Sequence, residues 1–237
     1  EFSKIICLGR KRPFKSKKIK FLKRNLNKLF LIKEKEIDII LHIAGANEVI
    51  SKDENLAYQN TFIITQNLIK SLKKTKINKF IYFSTAQVYG NNNIINEKTS
   101  TNSGNFYATT HEMSELLIKF YTKDNIKNST IIRPFNVFGL ADTREVKRDT
   151  LVPTCFIKSL KEKNYIELLS NGKQYRDFIS LNEINKKIYK IFYNSKFDNK
   201  IVNLCCGASF KILDIAKISL KVFNKHSKYK GFIKINN

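Results

Sequence analysis

Residues 79–90 read Lys79-Phe80-Ile81-Tyr82-Phe83-Ser84-Thr85-Ala86-Gln87-Val88-Tyr89-Gly90, and after a polar connector residues 106–111 read Phe106-Tyr107-Ala108-Thr109-Thr110-His111. The first piece opens on an apolar, β-favouring run, Phe80 to Phe83, that stops at the hydroxyls of Ser84 and Thr85, as a buried parallel strand does. The second continues with apolar residues at Met113, Leu116, Leu117 and Phe120, the spacing of an amphipathic helix. A hydroxyl at a strand's end and a tyrosine at a helix's start can meet over the carboxyl edge of a sheet, where open α/β sheets bind their ligands.

This stretch resembles the active-site region of the extended short-chain dehydrogenase/reductase family, the nucleotide-sugar epimerases, dehydratases and reductases. The family places Ser or Thr before a segment like Ala86-Gln87-Val88-Tyr89-Gly90, then a Tyr-x-x-x-Lys helix. The resemblance implies Thr85 as the hydroxyl that orients the substrate oxygen and Tyr107 as the acid/base. The lysine position holds His111.

That exchange matters electrostatically. A tyrosine with a pKa near 10 needs help to act near neutrality, and the family's lysine, one helical turn on, gives it while also holding the nicotinamide ribose. A neutral His111 keeps a ribose hydrogen bond but helps a phenolate little. A protonated His111 does both, and needs a pKa above about 6.5. The remaining alternative is an exposed helix residue in a decayed site.

Further segments carry the resemblance outward. Lys4 to Leu8 reads as a strand closed by Gly9-Arg10. In dinucleotide-binding folds a basic group at this strand end accommodates a 2′-phosphate, so Arg10, beside Lys11 and Arg12, favours NADP over NAD; the competing reading is a basic surface turn. If that strand is the family's second, the first strand and its glycine-rich turn are missing, and a fragment is the economical explanation. Ile19 to Leu22 fits the next strand, with Asn25 where the family carries an adenine-contacting Asp. Ile37 to Ile43 is a buried strand running into Ala44-Gly45-Ala46, small residues that let a cofactor approach the backbone. His42 within it reads as a packing histidine. Leu56 to Leu72 is helical by period; Asn60 matches an asparagine whose amide braces the backbone beneath the family's active site.

Ser129 to Arg133 is a strand followed by Pro134-Phe135-Asn136-Val137-Phe138-Gly139, similar to the family's Arg-Pro-x-Asn-Val-Tyr-Gly segment. There Pro134 would border the nicotinamide and Asn136 the substrate. Arg176 in Tyr175-Arg176-Asp177-Phe178 would hold the nucleotide diphosphate, a task suited to a planar cation; a salt bridge in a turn is the alternative. Ile201 to Leu204 reads as a late strand and Ser209 to Phe223 as a helix. The 4,6-dehydratases carry an Asp-Glu pair where Ala86 and Gln87 stand, so dehydration is not expected.

The expected architecture is an α/β protein with a Rossmann-type parallel sheet. Residues 1–135 form the NAD(P)-binding part lacking its first βα unit. Residues 136–237 are mainly substrate-binding and C-terminally incomplete, with strands near 176–180 and 201–204 returning to the main sheet. The expected function is an NAD(P)-dependent nucleotide-sugar epimerase or keto-sugar reductase; the alternative is a non-catalytic binding relative. A homodimer is the expected assembly of the intact protein.

Whole-chain properties fit this. The 237 residues, 42% hydrophobic, suffice for a substantial core, and no long apolar run suggests a membrane span. The formal charge of +24 is spread along the chain with many Asn, Ile and Phe residues, so specific nucleic-acid binding is not expected. Cys7, Cys155, Cys205 and Cys206 lack metal spacing; free thiols in a reducing cytoplasm, and no metal, are the simplest reading.

Overall fold

The structure, a computed structural model, describes residues 2–12, 16–92, 94–122, 125–139 and 151–236. Phe14 and Lys15 of the basic run, and the two terminal residues, lie outside these. The chain separates into two compact units, Glu1–Arg133 with Lys196–Val202, and Pro134–Ser195 with Asn203–Asn237.

In the first unit, strands β1 (Ile5–Gly9) and β2 (Ile19–Lys23) form a parallel pair. Strands β3 (Glu36–His42), β4 (Lys76–Phe83) and β5 (Ile126–Pro134) run parallel in a second sheet. Helix α1 (Glu54–Ala57) is capped by the Asp53 carboxylate and passes through a π-helical turn, Tyr58–Ile63, into α2 (Ile64–Ser71). The one helix expected over 56–72 is therefore continuous but holds a wider turn, which brings Thr61 and Thr65 to the buried side. Helix α3 (Phe106–Tyr121) starts where the Asn105 side chain accepts the Ala108 N–H. Leu68, Ile69, Leu72, Ile77, Phe80, Tyr82, Ile118 and Ile126 form the core between these helices and the sheet.

The face that α3 turns inward differs from the expected one. Leu116 and Phe120 are 61% and 73% exposed, while Ala108, Thr110, His111, Ser114, Glu115 and Ile118 are buried. The polar members tolerate burial because each is bonded: Thr110 and Ser114 donate to carbonyls of the preceding turn, and Glu115 is paired with Arg133.

The second unit contains β6 (Asn136–Phe138), α4 (Val152–Lys163), β7 (Tyr165–Leu168), β8 (Tyr175–Ser180) and α5 (Leu181–Tyr193). After β9 (Lys200–Leu204) come β10 (Ser209–Lys211), α6 (Ile212–His226) and β11 (Phe232–Ile235). Phe156, Leu160, Ile166, Leu168, Phe178, Ile212 and Ala216 make its core. β9 completes the order β3-β4-β5-β9 of the main sheet. The segment near 176–180 does not return to that sheet: β8 is flanked by β10 and β6 in a separate three-stranded sheet. The reason is that Ser209–Lys211, expected as a helix start, is extended and takes β8's edge, and α6 begins only at Ile212.

Among the described residues, no helix is long and apolar enough to cross a membrane, and no cluster of three or more metal-ligating side chains occurs.

Candidate active site

β4 ends in two hydroxyls with different fates. Ser84 donates to Glu115 Oε1 at 2.5 Å, and the same carboxylate takes two hydrogen bonds from Arg133, Nε at 2.9 Å and Nη2 at 2.5 Å. The Arg133 guanidinium also lies 4.6 Å from the centre of the Tyr89 ring. This buried cluster ties β4, β5 and α3 together where the strands end. Thr85, also buried, accepts the Gln87 N–H at 3.2 Å and so caps the short 3₁₀ turn Ala86–Tyr89. Gly90 closes that turn at φ 65°, where a Cβ would stand 2.2 Å from the Asn102 carbonyl oxygen. No side chain fits there.

Tyr107, half-buried, is the second residue of α3, and its ring meets His111 edge-on with centroids 4.8 Å apart. His111 is not an exposed helix residue. It is 4% exposed, and its Nδ1 is 2.8 Å from the Tyr82 hydroxyl. Its Nε2 has no well-aligned hydrogen bond and is shut away from solvent. The ring lies beneath Gly45: a Cβ added there would meet His111 Cε1 at 3.3 Å and Nε2 at 3.6 Å.

Burial pushes the His111 pKa down to about 4, with the ring's approach to the Ala46 backbone acting the other way. His111 is therefore neutral throughout the neutral range, and the protonated option fails because a charge here is desolvated. The covered Nε2 also offers no open nitrogen to a ribose in this arrangement. His42 is a satisfied packing histidine, 2.9 Å from Thr65 Oγ1. Because Thr65 gives its own proton to the Thr61 carbonyl, His42 is the donor of that bond. Burial, then the proximity of His111, lower its pKa to about 3.

The strand-end residues Ala44 and Gly45 follow β3, with Gly45 exposed. The next amide, Ala46 N–H, is held at 3.0 Å by Thr61 Oγ1. Asn60 does not brace this backbone: its amide donates to the Leu56 carbonyl one turn back, at 2.9 Å. The π-helical turn gives the bracing role to Thr61. Arg10 is exposed after β1, and Asn25 Oδ1 accepts the Asn27 N–H within the turn after β2.

In the second unit, Asn136 donates to the Asp177 carbonyl at 2.8 Å, next to Pro134 at the end of β5. Arg176 is exposed, and its Nη1 donates to the Tyr175 carbonyl at 2.8 Å. Its neighbour Asp177 accepts the N–H groups of Cys206 and Gly207, both at 2.7 Å. The Asp177 carboxylate thus shapes the chain after β9.

Three of the expected residues thus come together in the first unit, Tyr107, His111 and Gly45, with Thr85 at the neighbouring strand end. Tyr82, Thr61, Glu115 and Asp177 escaped the sequence reading. Tyr82 carries a phenol in an apolar strand, and Thr61 and Thr65 are hydroxyls four apart in an apolar helix; both signals were available.

Comparison with known proteins adds the family. The chain is 28% identical over 189 residues to GDP-6-deoxy-D-talose 4-dehydrogenase of Aggregatibacter actinomycetemcomitans, which covers 78% of this chain and 62% of that protein. It is 25% identical over 221 residues to UDP-glucose 4-epimerase of Bacillus subtilis, 83% of this chain and 64% of that protein. Against dTDP-D-glucose 4,6-dehydratase of Dictyostelium discoideum, at 29% identity, it spans 50% of the relative's length. The chain thus spans between half and two thirds of these relatives. UDP-glucuronic acid 4-epimerase from Bacillus cereus, solved with UDP-glucuronic acid and NAD, superposes with a TM-score of 0.78 at 24% identity, over 93% of this chain and 70% of that one. The likeness establishes a Rossmann-type fold. With residues 5–205 matching its pattern, the chain belongs to the NAD dependent epimerase/dehydratase family.

Proposed function

We propose that this chain carries the catalytic part of an NAD(P)-dependent nucleotide-sugar epimerase or keto-sugar reductase. The carrying observation is the Tyr107–His111 pair at the start of α3, set beside the Thr85 strand end and beneath Gly45. Small residues at Ala44 and Gly45 fit the close approach of a flat cofactor ring, and the dinucleotide, when bound, supplies hydride exchange.

The chain's own residues then divide the work. Thr85, whose oxygen accepts from Gln87, retains its hydroxyl proton to orient the reacting sugar oxygen. The Tyr107 hydroxyl takes or returns the proton on that oxygen. His111 packs edge-on against the phenol and carries no charge at neutral pH, so Tyr107 works without a cation one turn away. Pro134 borders the cofactor, Asn136 and the exposed Arg176 take the nucleotide-sugar, and Arg10 favours NADP at the adenosine ribose. Ala86 and Gln87 supply no titrating pair for dehydration.

Incubation with UDP- and GDP-sugars in the presence of NAD or NADP tests this reading. Turnover that falls at least about a hundredfold in Tyr107→Phe supports it, the usual size of a lost acid/base. Turnover undiminished by that substitution would overturn it. The neutral, covered His111 favours a second reading, a binding relative that has given up chemistry; dinucleotide and nucleotide-sugar binding without turnover would establish that one instead. Leu116 and Phe120, exposed on α3, support a homodimer, and four free thiols support a reducing compartment such as the cytoplasm.

A further inference from the structure

We propose that Tyr82 is a positioning residue of this site: its hydroxyl donates to His111 Nδ1, fixes the imidazole as the neutral Nε2–H tautomer, and holds the ring edge against Tyr107 beneath Gly45. The inference rests on the reading of Tyr107 as the acid/base. Tyr82 is fully buried on β4, with its oxygen 2.8 Å from Nδ1. Burial raises its pKa well above the usual tyrosine range, so the phenol keeps its proton and has one to give.

Three acceptors compete for that proton. The hydroxyls of Ser114 and Thr65 approach Tyr82 as well, each having already donated its own proton, to the Thr110 and Thr61 carbonyls. A bare imidazole nitrogen is much more basic than a hydroxyl oxygen, so Nδ1 wins. The opposite arrangement would turn an Nε2 lone pair, buried and without a hydrogen-bond partner, toward the Gly45–Ala46 backbone. A proton on Nε2 makes that contact favourable, in keeping with the backbone interaction of Ala46. On the other side, the Tyr82 ring is itself held by His42, centroids 5.3 Å apart. From β3 through β4 to α3, three rings in sequence fix where Tyr107 points.

The test reads the tautomer directly, in long-range ¹H–¹⁵N spectra of the chain labelled in histidine, assigned with His42→Asn and His111→Asn. The expected spectrum at pH 7.5 shows His111 as a single Nε2–H form. In Tyr82→Phe, which keeps the ring, His111 should lose that single form while His42 keeps its own, and kcat for nucleotide-sugar turnover should fall about fivefold or more with KM within about twofold, the scale of one lost hydrogen bond. A wild-type His111 protonated on Nδ1 overturns the proposal, and that measurement needs neither a variant nor turnover. An unchanged tautomer in Tyr82→Phe overturns it too, as does a lost tautomer with kcat unaltered. Turnover that survives Tyr107→Phe instead sinks the underlying reading and leaves the spectrum to decide the Tyr82 contact alone.

Discussion

Lowering the pH should unfold this chain early, and the two buried histidines set the amount. His42 and His111 have native pKa values of about 3 and about 4, against 6.5 for an unperturbed histidine. A depressed histidine pKa contributes stability that is present above the unfolded value and lost as pH falls toward the folded one. Between pH 6.5 and about 4 the native state keeps both rings neutral while the unfolded chain protonates both. Two protons at about 1.4 kcal/mol each give a slope of about 2.7 kcal/mol per pH unit. By pH 5 about 4 kcal/mol is gone, a large share of the roughly 5–15 kcal/mol that holds a domain together. Glu34, lowered by its hydrogen bond from Lys4, releases its contribution as pH falls through the carboxylate range, below the pH 5.0 at which the measurement ends. The carboxylate nearest the pair, Glu115, is already committed to Arg133 and Ser84. Urea unfolding at half-unit steps from pH 7.5 to 5.0 measures the slope, and His111→Asn or His42→Asn should each reduce it to about 1.4 kcal/mol per unit. A flat stability between pH 6.5 and 5, or a slope that neither substitution changes, would refute the placement of both rings as buried and neutral.

Other outcomes follow from the same geometry. Glu115→Ala strands the buried Arg133 charge and should cost about 3–5 kcal/mol in urea unfolding, more than removal of any exposed ion pair such as Lys186–Glu183. His111→Lys puts an amine where burial disfavours a charge and removes the ring that packs on Tyr107, so turnover at pH 7 should fall; a pH–rate profile records the loss, and a gain would mean that an ammonium holds its charge there and steadies the Tyr107 phenolate. Gly90→Ala should lower stability by about 1–3 kcal/mol, since it needs both a positive φ and a shift of Asn102, and thermal unfolding reports it. Arg10→Glu should turn a preference for NADP into one for NAD, read by titration with the two dinucleotides.

Much of the fold was written in local patterns. Apolar runs from Ile37 and from Phe80 gave parallel strands because buried parallel sheets need little else, and Asn105, three residues before Ala108, marks the start of α3 by capping chemistry. What escaped were choices made between distant segments. Nothing near Ser209 says that it pairs with Asp177, and Phe210 with Arg176; an antiparallel edge forms where two extended pieces meet, and so β8 joined β10 and not the main sheet. The π-helical turn at Tyr58–Ile63 is equally silent in the apolar period, yet it moves the bracing of Ala46 from Asn60 to Thr61.

The inward face of α3 failed for a different reason. Hydrophobic periodicity counts apolar side chains, and it picks out Met113, Leu116, Leu117 and Phe120; it cannot see that a polar group is as buriable as a leucine once its bonds are met. The partners that meet them are spaced by strand parity. Phe80, Tyr82 and Ser84 alternate along β4 and so face one way, and that face meets α3: Phe80 shares a core with Ile118, Tyr82 bonds His111, and Ser84 bonds Glu115. On the helix, His111, Glu115 and Ile118 are themselves four and three apart, one face by the rule that also chose the wrong one. Two periods of different kind therefore lock a strand of three to a helix of three, one apolar rung, one neutral polar rung and one ionic rung. The middle rung is where the family's lysine would have been, and a phenol already facing that position makes histidine a residue that can be buried there without a charge.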